Sequence, residues 1–133
     1  MTTYVDSSAL LKRYVDEPDS DRANELLAAD EALVTGRHTI VEVRRNLARL
    51  LSGSALTEAR EAFRTDLESI DIVEVDVDTC ELAATIGEQT GVRTLDALHL
   101  AAARRISPVL PFVTFDVRQA TAARELGFRV AGA

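Results

Sequence analysis

The chain has 133 residues, of which 47% are hydrophobic, and its formal net charge at pH 7 is −7. This length suffices for one domain with a hydrophobic core but not for two ordinary ones, so we expect a single domain over residues 1–133. The composition excludes a disordered chain, and the acidic balance excludes a protein that coats nucleic acid with a broad basic surface.

Sequence patterns also argue against a secreted or membrane protein. The chain has no apolar run long enough to span a membrane, and its first residues enter a strand-like segment without a signal sequence. The single cysteine, Cys80, excludes an internal disulfide, and we expect it to be a small buried group on a helix. We therefore expect a cytoplasmic protein without a membrane partner.

Short apolar segments alternate along the chain with longer segments of helical periodicity. In chain order, the pattern predicts a strand over residues 4–6, helices over 8–15 and 21–29, a strand over 32–35, helices over 39–51 and 56–70, a strand over 72–77, helices over 79–90 and 95–105, a strand over 112–115, a helix over 117–126 and a strand over 128–130. Asp19 or Ser20 is expected to cap the second helix and Thr94 the sixth. Gly91 and Gly127 are expected to end the fifth and seventh. Short apolar strands separated by helices indicate an α/β fold with a mainly parallel sheet and helices on both faces.

Four acidic residues lie within or directly after otherwise apolar segments: Asp6, Glu42, Asp96 and Asp116. A carboxylate beside a hydrophobic core is costly unless it is paired, hydrogen-bonded or bound to a metal. In parallel sheets, ligands bind outside the carboxyl ends of the strands. Because two of these acids close strands and two lie near helix starts, all four can reach one edge of the sheet.

Each acid also has a purely structural interpretation. Three of them could complement helix starts, and Glu42 could lie on a solvated helix face. However, Ser7 or Ser8 is expected to cap the first helix and Thr94 the sixth, which leaves the acids redundant as caps. Four clustered carboxylates would repel one another, and a hard divalent cation such as Mg²⁺ or Mn²⁺ would remove that repulsion.

Two hydroxyl side chains lie near the strand-end acids. Ser8 follows Asp6 by two positions, and Thr114 precedes Asp116 by two. We expect both hydroxyls to orient the acids or a metal-bound water. Helix capping is an equal alternative for Ser8.

The two histidines are not expected to be metal ligands. His99 follows Asp96 by three positions and is interpreted as a hydrogen-bonded helix residue near the core. His38 precedes Glu42 by four positions and could contact it, although the start of a helix is the simpler interpretation. Together with Cys80, the histidines form no recognisable zinc spacing.

Four segments of the chain resemble the PIN domain, and within it the VapC toxins of bacterial and archaeal toxin–antitoxin pairs. The segments are residues 5–14 (VDSSALLKRY), 42–45 (EVRR), 93–101 (RTLDALHLA) and 112–116 (FVTFD). The resemblance implies a Mg²⁺- or Mn²⁺-dependent endoribonuclease whose metal site is formed by Asp6, Glu42, Asp96 and Asp116, the last being the most variable ligand. It also implies a homodimer held inactive by a small VapB-like antitoxin with a basic C-terminal arm.

The chemistry that follows is hydrolysis of an RNA phosphodiester by metal-activated water, with Asp116 the candidate to position or deprotonate that water. Arginines near the motif acids are candidates to bind RNA phosphates, although each could equally form a surface ion pair. They are Arg13, Arg44, Arg45 and Arg93.

Three alternatives remain open. The chain could be a PIN nuclease of RNA processing that is not a toxin, or a non-catalytic module that binds metal and a protein partner. A phosphatase of the haloacid-dehalogenase type is disfavoured, because such enzymes need a second acid two residues after the first, where this chain has Ser8.

Overall fold

The computed structural model describes residues 2–29 and 32–133. The strands in this part of the chain are β1 (Thr2–Val5), β2 (Ala32–Gly36), β3 (Ile70–Val73), β4 (Pro111–Thr114) and β5 (Arg129–Gly132). The helices are α1 (Ser7–Leu11), α2 (Ser20–Ala28), α3 (His38–Leu50), α4 (Gly53–Leu67), α5 (Val77–Thr90), α6 (Thr94–Ile106) and α7 (Val117–Glu125). None of the helices in the described ranges is long and apolar enough to cross a membrane.

All five strands form one parallel sheet in the order β3-β2-β1-β4-β5. The chain first adds β2 and β3 on one side of β1, and then returns to add β4 and β5 on the other side. The direction of strand addition therefore reverses between β1 and β4. Ligands of open parallel sheets bind at such a reversal, outside the carboxyl ends of the strands.

Helices cover both faces of the sheet because successive strand residues point to opposite sides. Tyr4 and Phe112 pack in one core with α5, α6 and α7, whereas Val5 and Val113 pack in a second core with α1, α2, α3 and α4. The predicted α/β fold, with a parallel sheet between two layers of helices, is confirmed.

Several predicted boundaries are wrong. The strand predicted over residues 72–77 is β3 at Ile70–Val73, and α5 begins early, at Val77. The early start has a local cause: the Asp76 carboxylate accepts a hydrogen bond from the Thr79 N–H at 2.9 Å and caps the helix. The helix predicted over residues 8–15 ends at Leu11, and turns follow it.

The predicted cap of the first helix is also wrong. Asp6, not Ser7 or Ser8, is the N-cap of α1, and its side chain accepts a hydrogen bond from the Ala9 N–H. Both serines are instead the first two residues of the helix. Asp6 can take this role because its extended backbone turns the carboxylate toward the free N–H groups of the first turn.

Neither α2 nor α6 has the predicted side-chain cap. Arg93 holds the N-cap position of α6 and Thr94 is the first helical residue, with no capping hydrogen bond. Asp19 holds the N-cap position of α2 but makes no side-chain cap bond. The Ser20 hydroxyl instead donates to the Val15 carbonyl, which ties the preceding turn to the helix.

Cys80 is exposed, so the prediction that it is buried is wrong. The buried face of α5 is formed by Thr79, Ala83 and Ile86. Cys80 follows the first of these by one position, which places it about 100° around the helix and away from the core.

Candidate metal centre

The four acids singled out in the sequence line one pocket of about 440 Å³ at the carboxyl ends of β1 and β4. Asp6 follows β1, Asp116 follows β4, Asp96 lies in the first turn of α6, and Glu42 lies on α3. The complete lining is Asp6, Ser7, Ser8, Glu42, Arg93, Thr94, Leu95, Asp96, His99 and Asp116. The reversal of the sheet therefore brings together four carboxylates from distant parts of the chain.

Asp6 is the most buried of the four, with 3% of its surface exposed. Its Oδ1 accepts hydrogen bonds from the Ser8 hydroxyl at 2.7 Å and the Ala9 N–H at 3.1 Å, and its Oδ2 accepts one from the Thr114 hydroxyl at 2.5 Å. A carboxylate accepts about four hydrogen bonds, so one acceptor position is left. Burial raises the pKa of Asp6, an effect that the charge of His99 and these hydrogen bonds only partly offset.

Asp96 faces the pocket from the first turn of α6. Its nearest cation is Arg93, whose Nε lies 3.7 Å from Asp96 Oδ2. Burial raises the pKa of Asp96, and the negative charges of Asp116 and Asp6 raise it further. This mutual repulsion is the electrostatic signature of carboxylates held close together.

Asp116 is the N-cap of α7. Its Oδ1 accepts hydrogen bonds from the Arg118 N–H at 2.9 Å and the Gln119 N–H at 3.1 Å, and its own N–H donates to the Thr114 hydroxyl oxygen at 3.1 Å. Thr114 therefore contacts both strand-end acids. The capping interpretation of Asp116 is correct, but capping occupies only one of its two carboxylate oxygens.

Glu42 reaches the pocket from α3 and is held there by a histidine. Its Oε1 lies 2.7 Å from Nε2 of His99, which is itself 2% exposed. Burial raises the pKa of Glu42, but the hydrogen bond and the charge of His99, together with weaker contributions from His38 and Ser7, lower it below the usual value. Glu42 is therefore ionised at neutral pH.

His99 continues the chain of contacts into the core. Its Nδ1 lies 2.7 Å from the Tyr4 hydroxyl, which agrees with its interpretation as a hydrogen-bonded residue near the core. His38 lies beside it, with 4.1 Å between the ring centroids. Burial and the charge of His99 lower the pKa of His38 to about 4, so its ring is neutral at pH 7.

Only one of the four candidate arginines, Arg93, lines the pocket. Arg13 lies 3.8 Å from Asp66, Arg44 lines a separate depression, and Arg45 contacts its neighbour Asn46. The structure therefore does not bring these three to the acids.

Two buried polar side chains beside the acids, Tyr4 and Gln119, were not singled out in the sequence analysis. Gln119 is fully buried, and its Nε2 donates to the backbone carbonyl of Asp96 at 3.2 Å. Its position three residues after a capping acid is the one signal that could have identified it.

Thr114→Val is expected to weaken metal binding, because it removes the hydroxyl that donates to Asp6 and leaves the Asp116 N–H without its acceptor. Loss of a group that orients a metal ligand typically lowers affinity about 10–100-fold. Calorimetric titration with Mn²⁺ measures the change. The matched control is Thr121→Val on α7, where the hydroxyl donates only to the Val117 carbonyl. Equal Mn²⁺ affinities in the two variants would contradict the prediction.

The donor set of this pocket fits a hard divalent cation. All four acids offer carboxylate oxygens, which Mg²⁺ and Mn²⁺ prefer to nitrogen or sulfur ligands. The raised pKa values of Asp6 and Asp96 show that ionising both is costly in the protein alone. A bound cation relieves that cost, because it replaces repulsion between carboxylates by attraction to a shared positive charge.

Comparison with known proteins identifies the family of this arrangement. The sequence model of the PIN domain matches residues 3–125. The chain belongs to the PIN-domain family. This PIN domain is 38% identical over 128 residues to Ribonuclease VapC46 of Mycobacterium tuberculosis, covering 96% of this chain and 94% of the relative. It is 36% identical over 126 residues to Ribonuclease VapC47 of the same species, covering 94% and 92%. The resemblance to VapC-type PIN domains is thus confirmed.

A solved structure independently supports the fold. A toxin–antitoxin complex from Klebsiella pneumoniae contains a chain similar to this PIN domain, with a TM-score of 0.69 and 17% sequence identity. The similarity covers 88% of each chain. At this level of identity, the comparison shows a shared fold.

Proposed function

We propose that this PIN domain is an endoribonuclease that requires Mg²⁺ or Mn²⁺ and acts as the toxin of a toxin–antitoxin pair. The observation that carries the proposal is the convergence of Asp6, Glu42, Asp96 and Asp116 in one pocket at the carboxyl ends of β1 and β4. The two VapC relatives, both named as ribonucleases, support the same activity.

The four acids have different proposed roles because their surroundings differ. Asp6, Glu42 and Asp96 would hold the metal, and Asp6 is already fixed in position by three hydrogen bonds from the protein. A bound metal ion supplies a water of lowered pKa and neutralises charge on the scissile phosphate. Asp116 is the candidate to position or deprotonate that water with the oxygen that is free of the α7 cap.

RNA binding must overcome the charge of the protein. The chain carries a net charge of −7, so long-range electrostatics repel a polyanion. Arg93 is the basic side chain in the pocket lining, and 72% of its surface is exposed. Its guanidinium can bind a phosphate through two parallel hydrogen bonds. Arg93 would then leave its ion pair with Asp96 and contact a phosphate of the RNA instead.

The proposed protein partner is a small VapB-like antitoxin. The fold similarity to a chain of a toxin–antitoxin complex supports such a partner, and the acidic pocket suits a basic residue on an antitoxin arm. Arg or Lys inserted among the four acids would offset their repulsion and occlude the site. We also infer a homodimer and a cytoplasmic location, in keeping with the resemblance to VapC toxins.

The proposal is tested by cleavage of total RNA with protein stripped of metal by a chelator. The stripped protein is expected to be inactive, and added Mg²⁺ or Mn²⁺ is expected to restore cleavage, because only then is a water of lowered pKa present. Cleavage that survives complete chelation would reject the mechanism.

Three further outcomes separate the alternatives. Metal binding without cleavage of any RNA pool would favour a non-catalytic binding module. Cleavage without growth inhibition on induced expression would favour a nuclease of RNA processing. Growth inhibition that a co-expressed antitoxin relieves would favour the toxin.

A further inference from the structure

A second group of potential ligands overlaps the edge of the four-acid pocket and shares Glu42 with it. This group is His38, Glu42 and His99, which we call the histidine trio. One ligand atom from each side chain lies within 4.8 Å of the others. Glu42 Oε1 is 2.7 Å from His99 Nε2 and 3.9 Å from His38 Nε2. Ligand atoms on one tetrahedral zinc ion lie about 3.3 Å apart, since each sits about 2.0–2.1 Å from the metal. The trio therefore needs small shifts to surround one ion, together with release to solvent of the proton that His99 Nε2 donates to Glu42.

The burial of the His38 ring is not explained by hydrogen bonding. Its side chain is 10% exposed, and neither ring nitrogen makes a hydrogen bond of normal geometry, with only a weak polar contact to the Leu95 backbone. Buried polar atoms nearly always have a partner, because an unpaired one costs about 1–3 kcal/mol. A buried imidazole that lies against a carboxylate without a hydrogen bond of normal geometry points to a ligand that its nitrogens could bind.

The backbone leaves room for the His38 ring at one glycine. A Cβ atom at Gly36 would lie 2.5 Å from Cε1 of His38 and 3.2 Å from the Tyr4 hydroxyl. Any larger residue at position 36 would therefore have to displace the His38 ring and shift the Tyr4 hydroxyl. Gly36 allows His38 to fold back against His99 and Glu42.

The other imidazole is already oriented as metal-binding histidines usually are. His99 Nδ1 contacts the Tyr4 hydroxyl, so that Nε2 is directed at Glu42. In metal sites, the second ring nitrogen commonly contacts an oxygen that fixes the orientation of the ring. Tyr4 can supply this contact because its fully buried hydroxyl oxygen can accept a hydrogen bond from the Nδ1–H of the ring.

We propose that the histidine trio is a second cation site, which binds a nitrogen-preferring transition metal such as Zn²⁺ rather than Mg²⁺. Two imidazoles and a carboxylate are one of the common ligand sets of zinc with an open fourth position, whereas Mg²⁺ takes oxygen ligands. This set of ligands could not be recognised in the sequence, because its members lie on two different helices and show no zinc spacing.

Nitrogen-15 NMR of the imidazole rings tests the proposal in untagged protein. The chain contains two histidines, so all ring signals come from the trio. Added Zn²⁺ is expected to shift the Nε2 signals of both rings. Added Mg²⁺ is expected to leave the His38 signals unchanged, although Mg²⁺ held by Glu42 can shift the signal of its hydrogen-bond partner His99. If Zn²⁺ leaves the His38 signals unchanged, the proposal is overturned.

Two matched variants distinguish the trio from the four-acid pocket. His38→Gln removes one proposed ligand and leaves all four acids, and it should lower Zn²⁺ affinity by about 100-fold or more, beyond the usual loss for an outer hydrogen-bond partner. Asp96→Asn alters the acid pocket and should keep the Zn²⁺ affinity of the wild type. The reverse pattern would show Zn²⁺ bound by the acids alone and would overturn the proposal. Because His38 makes no regular hydrogen bond, we expect His38→Gln to fold, which circular dichroism checks.

Glu42 belongs to both sites, and this has a functional consequence that rests on the proposed nuclease activity. Zn²⁺ in the trio would bind the Glu42 carboxylate, which would then no longer be available to Mg²⁺ in the acid pocket, and it should inhibit Mg²⁺-supported RNA cleavage. His38→Gln should be active with Mg²⁺ and resistant to Zn²⁺. If the protein cleaves no RNA, the NMR and affinity measurements still decide whether the trio binds metal. Equal Zn²⁺ inhibition of wild type and His38→Gln would contradict the coupling.

Discussion

Asp96→Asn should lower the rate of RNA cleavage on the order of 1000-fold, equivalent to about 4 kcal/mol of transition-state stabilisation. Asn keeps the shape of the side chain but loses the charge that holds the proposed metal in the pocket. Asp6→Asn should have the same effect. A cleavage assay at saturating Mg²⁺ measures the loss, and undiminished cleavage by either variant would reject the assignment of these acids.

The matched control is Asp78→Asn. Asp78 lies in the first turn of α5 as Asp96 lies in the first turn of α6, so both substitutions remove one negative charge from a helix N-terminus. We expect full activity from Asp78→Asn. Thermal unfolding should show that Asp96→Asn is at least as stable as wild type without metal, because burial and neighbouring carboxylates raise the pKa of Asp96 and penalise its charge.

The largest expected loss of stability is at Leu47, which is 0% exposed and packs in the core between α1, α3, α4 and the sheet. Leu47→Ala should lower the free energy of unfolding by about 2–5 kcal/mol, since it removes apolar contact and leaves a cavity. Urea denaturation measures the change.

Leu50→Ala on the same helix is the control for Leu47→Ala. Leu50 is 43% exposed, so its truncation leaves no enclosed cavity, and we expect a change of about 0.5 kcal/mol or less. The two variants carry the same chemical substitution three residues apart. A similar decrease in the free energy of unfolding in both variants would show that helix propensity, not burial, determines that decrease.

The order of elements and the meeting of the acids were predictable because each depends on local pattern. Apolar strands that alternate with periodic helices define the parallel sheet, and Asp6 and Asp116 follow directly from the ends of two strands. The choice of cap was not predictable. Aspartate and serine are nearly equal as N-caps, and only the backbone angles decide that Asp6 takes the position that Ser7 or Ser8 could have held.

The contacts of the two histidines with distant elements could not be predicted from the sequence pattern. His38, Tyr4 and His99 come from α3, β1 and α6, and their contacts depend on how those elements pack. Three of the four candidate RNA-binding arginines do not line the pocket, for a related reason. Arg13 is close to Asp6 along the chain, but it lies in the turns after α1 and faces Asp66 on α4, because sequence proximity does not fix the direction in which a side chain projects.

The position of β4 beside β1 also governs when the active pocket can first exist during synthesis. The Thr114–Asp6 hydrogen bond joins residues 108 apart, and β1 leaves the ribosome before β4. A nascent chain that ends before β4 carries Asp6 and Glu42 but lacks both Thr114 and Asp116. Synthesis through β4 and Asp116 is therefore a condition of the proposed metal site, and translation products that end before β4 should not cleave RNA.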